Sequence, residues 1–328
     1  MSETIAHSTD VPAASRDVGQ ILRLDEMSFV RIRSLDFERT VALFAVSPLE
    51  EHGPHLPVGT DVLTAEFFTL ELARRILQAK PDWTAVIAPT VPLGASVFDA
   101  PGTLRARPRT VRHLALDYGA ALARHGFRYI LLTNGHAGPF HVLALEEAAA
   151  TVSRRYGVRM LSVSGPVLWK FLRARYHHRI EPLLGRPLTW QERVALRGDT
   201  HAGLWETSLL LLIRPDLVDG AYATLPQVTF TLQQAARKNY PLRLGNRMGY
   251  IGTPQAARAE FGEVARTILN DAAWEIVRPV LEAPDDSWQQ TSFLYKIPFL
   301  RTGFPYAVGA FGLILLGWIL ARLLLRYP

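Results

Sequence analysis

Five side chains that can bind a metal ion or move a proton lie close together near residue 50: Glu50, Glu51, His52, His55 and Asp61. Glu50 and His52 are two positions apart, so an extended backbone would point both side chains to the same side. The prolines and glycines among them exclude regular structure and give a rigid loop that can return Asp61 to the same point. Carboxylate and imidazole together suit Zn²⁺ or Mn²⁺. The alternative is a polar loop with surface charges.

The elements around this loop predict an α/β fold. Residues 41–46 form an apolar run directly before the loop, which predicts a buried strand, and open α/β sheets place their sites at the carboxyl ends of such strands. We predict further strands at 84–88, 128–133 and 159–164, and helices at 64–78, 108–125, 140–156 and 258–282. Residues 21–37 read as a helix and a connection, and 168–198 as irregular. This alternation favours a three-layer α/β/α domain with a mostly parallel sheet.

Two later loops also carry residues suited to chemistry. Asn134-Gly135-His136 follows a predicted strand, and its small residues let the backbone approach a metal ion or an oxyanion closely. His201 and Glu206 are five positions apart around a helix start, so both can face one cleft. Helix capping is the alternative in both places.

Together these motifs resemble those of the creatininase (creatinine amidohydrolase) family, over about residues 21–282. The third motif, His-Ala-Gly-x-x-Glu-Thr-Ser at 201–208, is complete, and the second matches at 134–136. The Gly-x-Ser loop that ends at Ser96 resembles a loop that contacts the substrate in the family, which implies that Ser96 binds substrate. An ordinary loop serine without such a role is an equal alternative. The first motif matches at Glu50, His52, Gly53, His55, Leu56, Pro57 and Asp61.

The resemblance implies a metal-dependent amidohydrolase that hydrolyses a C–N bond in an amide, a cyclic amide or a formamide. It implies that Glu50, His52, Asp61 and His136 hold Zn²⁺ and/or Mn²⁺, one or two ions per subunit, with Asp61 bridging two. It implies that His201 protonates the leaving nitrogen. Homo-oligomers, often hexamers, are usual in the family, which also includes a peptidase.

Two adjacent positions depart from the creatininase motif. Gly138 stands where creatininase has a glutamate that binds the second metal ion, and Pro139 replaces the usual asparagine. We predict that Glu206 supplies the missing ligand or orients His201 as a hydrogen-bond partner. These two departures and the altered loop from Ser96 to Gly102 favour an alternative, a catalytically inactive, membrane-anchored binding or scaffold protein. The intact ligand motifs disfavour it.

Composition sets the remaining expectations. The chain has 328 residues, 48% of them hydrophobic and 20% charged, which indicates a folded protein. The net charge is +6 without a nucleic-acid motif, so we expect no nucleic-acid partner. Without cysteine, metal ligands must come from histidines and carboxylates.

The two ends of the chain differ from the middle in composition. We predict a disordered tail at 1–19, the catalytic domain at 20–282, a linker or interfacial segment at 283–303 and a transmembrane helix at 304–325 that contacts membrane lipid. A buried core helix is the alternative for that last segment. Because no signal peptide is recognisable at residues 1–19, we expect a cytoplasmic catalytic domain tethered to the cytoplasmic membrane.

Overall fold

A computed structural model describes residues 19–172, 174–229 and 248–304. Strands and helices alternate along most of it. The strands are β1 Ile21–Arg23, β2 Thr40–Ala45, β3 Thr84–Ile87, β4 Tyr129–Thr133 and β5 Arg159–Ser162. The helices are α1 Phe29–Arg33, α2 Thr60–Ala79, α3 Pro108–Arg124, α4 Pro139–Tyr156, α5 Ser164–Leu172, α6 Ile180–Leu184, α7 Trp190–Ala195, α8 Leu204–Ile213 and α9 Ala259–Glu282.

The five strands form one parallel sheet in the order β1-β3-β2-β4-β5. Because β2 and β4 are neighbours, the loops after their carboxyl ends lie side by side. These are the loops that carry the first and second motifs, so the sheet order brings the motifs together.

Successive side chains along each strand point to opposite faces of the sheet, so both faces are apolar and each is covered by a layer of helices. Val41 and Leu43 of β2 face one side, and Ala42 and Phe44 face the other. The first side packs against α2, α5 and α9, through residues such as Leu72, Ile76, Val167, Ile276 and Val280. The second side packs against α3 and α4, through residues such as Val111, Ala115, Leu145 and Ala148. The predicted α/β/α architecture is therefore confirmed.

Two local predictions were wrong. Residues 21–37 contain the edge strand β1 before the short helix α1, and a three-residue strand is too short to show a period of two in the sequence. Residues 168–198, predicted to be irregular, contain the end of α5 and the helices α6 and α7. The helix α7 begins with a capping box, in which Thr189 and Glu192 satisfy each other's backbone N–H groups.

The predicted membrane location is also corrected. Within residues 19–172, 174–229 and 248–304, no helix is both long and apolar enough to cross a bilayer. Apart from Phe304, the predicted span 304–325 lies outside the described residues, as does most of the predicted tail 1–19. The domain boundaries stay predictions.

The segment after α9 returns to the body of the protein. Ser292 donates two hydrogen bonds to the carboxylate of Glu146, from its backbone N (2.6 Å) and its hydroxyl (2.7 Å). Thr302 donates in the same way to Glu147. Residues 292–302 are thus held against α4 by two neighbouring glutamates.

Candidate active site

The loop after β2 is tied to the loop after β4 by one serine. The Ser47 hydroxyl donates to the carbonyl oxygen of Asp61 (3.1 Å) and accepts from the backbone N of Gly135 (3.2 Å). Asp61 lies in the first turn of α2, which starts directly after the loop. A Cβ at Gly135 would lie 2.3 Å from the Asp61 carbonyl oxygen, so only glycine permits this approach.

One group of three ligand-type atoms forms around His136. Its Nδ1 lies 3.0 Å from Glu50 Oε2 and 3.2 Å from Asp61 Oδ2. All three residues are buried. Among the described residues, neither Glu50 Oε2 nor Asp61 Oδ2 has a hydrogen-bond partner. Three buried lone-pair atoms that converge on one point are what one metal ion requires.

A second group forms around His52. Its Nε2 lies 3.4 Å from Asp61 Oδ1 and 3.6 Å from Glu206 Oε2, and it has no hydrogen-bond partner among the described residues. Asp61 therefore presents one carboxylate oxygen to each group, the arrangement of a carboxylate that bridges two ions. Glu206 joins from α8 and also accepts the backbone N–H of Ala202 at 2.5 Å.

The opposite ring nitrogens of both histidines are held by backbone oxygens. His52 Nδ1 lies 3.0 Å from the Glu50 carbonyl oxygen, and His136 Nε2 lies 3.2 Å from that of Ala95. A carbonyl oxygen only accepts, so these nitrogens carry the hydrogens. The neutral rings then direct their lone pairs, on His52 Nε2 and His136 Nδ1, into the two groups.

The electrostatics show that the cluster favours positive charge. Burial disfavours a charge on His52, but the surrounding carboxylates, Asp61 foremost, raise its pKa to about 10. Burial likewise opposes ionisation of His136, yet Glu50 and Asp61 raise its pKa well above the ordinary value. Burial opposes ionisation of Glu50 and Asp61 as well, but His136 and His201 lower the pKa of Glu50, and His52 and His136 lower that of Asp61. Cationic ligands would satisfy the same carboxylates and displace these protons.

His201 lies over the cluster and is oriented by Glu51. Its Nε2 donates to the Glu51 carbonyl oxygen (2.8 Å) and lies 3.7 Å from Glu51 Oε1. Its Nδ1 lies 4.0 Å from Glu206 Oε2, and its ring centroid is 4.4 Å from that of His52. Burial and the charge of His52 lower the pKa of His201, but hydrogen bonding to Glu51 and the charges of Glu50 and Glu206 outweigh them and raise it.

Gly138 has no room for the glutamate that creatininase carries there. A Cβ at this position would lie 2.2 Å from His136 Nε2 and 2.9 Å from Ser96 Cβ. Ser96 itself has a positive φ of 61°, and its hydroxyl accepts the backbone N–H of Phe140 (3.2 Å) in the first turn of α4. The predicted role of Ser96 in substrate binding stays a prediction.

Sequence reasoning missed His141, which supports the site from α4. Its Nδ1 accepts the backbone N–H of Ala95 (3.2 Å), and its Nε2 donates to the carbonyl oxygen of Val46 (3.1 Å). The ring is fully buried and thereby joins the end of β2 to the loop whose Ala95 oxygen holds His136. A histidine inside an apolar helix gives only a weak signal in one sequence.

Comparisons with known proteins agree with this geometry. The family model "Creatininase: Creatinine amidohydrolase" matches residues 25–278. The mycofactocin precursor peptide peptidase of Mycolicibacterium smegmatis is 29% identical over 247 residues, which cover 73% of this chain and 85% of that protein. The creatinine amidohydrolase of Pseudomonas putida is 28% identical over 187 residues, 55% of this chain and 66% of that protein.

Solved structures show the same fold. A crystal structure of creatinine amidohydrolase (creatininase) matches with a TM-score of 0.59 and 23% identity, covering 80% of this chain and 99% of that one. A structure titled "Creatininase Mn" matches with a TM-score of 0.58 and 23% identity over the same shares. A variant creatininase described as "Zn-Zn type" matches with a TM-score of 0.58 and 22% identity, covering 80% and 98%.

Proposed function

Because the chain belongs to the creatininase family, we propose that it is a metal-dependent hydrolase that cleaves a C–N bond at the cluster of Glu50, His52, Asp61, His136 and Glu206. The observation that carries this proposal is the arrangement of ligand-type atoms in two groups that share Asp61, with Glu50 Oε2, Asp61 Oδ2 and His52 Nε2 buried and without hydrogen-bond partners among the described residues. Each of these two groups has one imidazole and two carboxylate oxygens, and a third group in the described residues, Glu50, His52 and His201, overlaps them.

The residues fit divalent ions such as Zn²⁺ and Mn²⁺. Imidazole nitrogen with carboxylate oxygen is a donor set that both ions accept. Glu50 Oε2, Asp61 Oδ2 and His136 Nδ1 would hold one ion, and His52 Nε2, Asp61 Oδ1 and Glu206 Oε2 the other. The two solved creatininases described as the Mn form and the Zn-Zn type support this pair of ions.

The bound metal would supply an activated water and polarise the substrate carbonyl. His201 then provides the proton that the leaving nitrogen needs. Its Nε2 hydrogen is engaged by the Glu51 carbonyl oxygen, so Nδ1, which faces Glu206, is the position from which it transfers that proton. The hydrogen bond to the Glu51 carbonyl oxygen fixes the orientation of the His201 ring, as a proton-transfer residue requires.

Glu206 supplies the carboxylate that Gly138 cannot. The predicted alternative of an inactive binding protein rested on Gly138, Pro139 and the altered loop 96–102. A partly exposed carboxylate from α8 lies 3.6 Å from His52 Nε2, which answers the first of these departures. The substrate remains open between a cyclic amide, as the name of the Pseudomonas putida relative indicates, and a peptide, as the name of the Mycolicibacterium smegmatis relative indicates. The predicted homo-oligomer stays a prediction.

Metal titration with a hydrolysis assay tests this function. The purified full chain is stripped with a chelator, reloaded with Zn²⁺ or Mn²⁺, analysed for bound metal by mass spectrometry, and assayed on creatinine and on short peptides. We expect up to two ions per chain and hydrolysis that disappears with the metal and returns with it. A protein that retains neither ion at micromolar concentrations would overturn the proposal.

A further inference from the structure

A cavity of about 100 Å³ opens beside the ligand cluster. His201, Glu206 and Asn134 line the side that faces the cluster. Apolar side chains from four helices line most of the rest, among them Phe68, Val167, Phe171, Trp205, Leu209 and Leu269. A group that is attached to a carbonyl at the cluster therefore has an apolar compartment directly next to it.

The helix α2 shows how this cavity is oriented. Thr64, Phe68 and Leu72 line it and are spaced four residues apart, so they form one face of the helix. Asp61 of the cluster precedes them in the first turn. At about 1.5 Å per residue, Leu72 lies roughly 16 Å beyond Asp61 along the helix axis. The cavity therefore starts at the cluster and runs away from it between α2, α5, α8 and α9.

The Thr64 hydroxyl is the polar group available at the start of this cavity. Thr64 is 7% exposed, and its Oγ1 has no hydrogen-bond partner among the described residues. The side-chain amide of Asn134, by contrast, is engaged with the backbone of His136 through both its oxygen and its nitrogen. A buried hydroxyl without a partner costs free energy unless a ligand supplies one, so it points to a polar atom of the substrate.

The size of the cavity limits what it can hold. An apolar cavity of about 150 Å³ in another protein holds one benzene molecule, so about 100 Å³ fits one branched aliphatic side chain. A small polar ring such as creatinine offers only an N-methyl group and a ring methylene, which are too small to fill it. A peptide offers both an apolar side chain for the walls and a peptide group for the threonine hydroxyl.

We propose that this cavity binds the apolar side chain of the residue next to a scissile peptide bond, and that the Thr64 hydroxyl pairs with the peptide group of that residue. This rests on the proposed function. In the reaction the C–N bond breaks, the oxygen of a water molecule bonds to the acyl carbon, and the leaving amine takes up a proton. The substrate class is thus a peptide with a valine-sized or leucine-sized residue at the cleavage point.

A peptide series tests the assignment on the metal-loaded full chain. The peptides share one sequence except at a single position, which is Gly, Ser, Asp, Val, Leu or Trp and is placed on either side of the cleaved bond. We expect kcat/KM to be about 100-fold higher for Leu than for Gly, from the burial of four carbons, and Asp to be the poorest. Equal rates across the series would overturn the proposal.

Two variants locate the preference in the cavity. Val167→Phe reduces the volume of the cavity, so kcat/KM for the Val and Leu peptides is expected to fall below that for the Gly peptide. The matched exposed variant Val30→Phe is expected to keep the wild-type order of kcat/KM values. Thr64→Val removes the hydroxyl and is expected to lower kcat/KM about 10-fold for every peptide. A Val167→Phe enzyme that keeps its metal and the wild-type order would overturn the assignment.

The outcomes separate this inference from the proposed function. Metal binding with hydrolysis of creatinine and no peptide preference would overturn the cavity assignment and leave the metal-dependent hydrolase in place. A wild-type chain without metal binding or hydrolysis would overturn both. Measured metal content in each variant shows whether the fold and the cluster survive the substitution.

Discussion

Glu206 Oε2 lies 3.6 Å from His52 Nε2, so this carboxylate joins His52 and Asp61 in one group of ligand-type atoms. The two residues come from different elements, the loop after β2 and the first turn of α8. On the proposed function, their approach supplies the second ion with a carboxylate although residue 138 is a glycine. The role of each residue in that group is testable separately.

Replacing Glu206 with glutamine is expected to weaken one metal ion selectively. The amide keeps the shape but loses the negative charge, and the group of Glu50, Asp61 and His136 stays intact. We expect bound metal to fall from two ions per chain to one, with kcat reduced at least 100-fold. Glu263→Gln on the exposed face of α9 is the control. Full metal content in the Glu206 variant would place this carboxylate outside the coordination sphere.

A glutamate introduced at residue 138 is not expected to restore metal binding to a variant that lacks Glu206. A Cβ there would lie 2.2 Å from His136 Nε2, so any side chain must displace the imidazole or the loop around Ala95. We therefore expect that Gly138→Glu, combined with Glu206→Ala, binds less metal than Glu206→Ala alone. A double variant that recovers metal and activity would show that this loop adapts easily.

Asp61 is expected to be the residue on which both ions depend. Each of its two oxygens faces a different histidine, so Asp61→Asn removes the shared charge from both groups. We expect loss of both ions and of measurable hydrolysis, with a circular dichroism spectrum like that of the wild type. The matched control is Asp117→Asn on the exposed side of α3. Wild-type metal content in the Asp61 variant would remove Asp61 from the site.

The main layers could be predicted because buried strands and amphipathic helices each show a recognisable hydrophobic pattern within a few consecutive residues. The strands β2 and β4 showed continuous apolar runs, and their loops carried Glu50, His52 and His136. A chain cannot show by local pattern which strands are neighbours, yet the adjacency of β2 and β4 decides that Asp61 meets His136. The expectation that Asp61 and His136 share one site came from the resemblance of the motifs to a known family. The order of the strands gives the physical basis of that proximity.

Other features depend on tertiary distances that no local pattern encodes. The 3.6 Å approach of Glu206 to His52 is set by how α8 packs on α2 and α9. His141 looked like one polar residue in an apolar helix, and its role is visible only from the two backbone groups that it joins. The strand β1 and the helices α6 and α7 were missed because each has too few residues to show a period.

His141 is expected to stabilise the fold and position the site together. His141→Leu would leave the Ala95 N–H and the Val46 carbonyl buried without partners, at a cost of about 1–3 kcal/mol each. We expect the free energy of unfolding, measured in urea, to fall by about 2–5 kcal/mol and the metal affinity to fall with it. His113→Leu on the exposed face of α3 is the control. Unchanged stability would show that water replaces both hydrogen bonds.

Glu146, which accepts two hydrogen bonds from Ser292, is expected to make the free energy of unfolding depend on pH. Burial raises the pKa of Glu146 to about 7, although the two hydrogen bonds from Ser292 act in the opposite direction. In the unfolded chain the pKa returns to about 4.5. The folded state therefore binds this proton more tightly, and the resulting stability is fully present below pH 4.5 and is lost as the pH rises through 7.

The variant Glu146→Gln carries no titrating proton and keeps a hydrogen-bonding side chain toward Ser292. Its stability relative to the wild type is expected to increase between pH 5 and pH 8, by about 3 kcal/mol at most. Urea unfolding of both proteins at half-unit pH steps measures this difference, with Glu66→Gln on the exposed face of α2 as the control. Parallel pH profiles for Glu146→Gln and the wild type would contradict the raised pKa. A difference that grows toward low pH would contradict its direction.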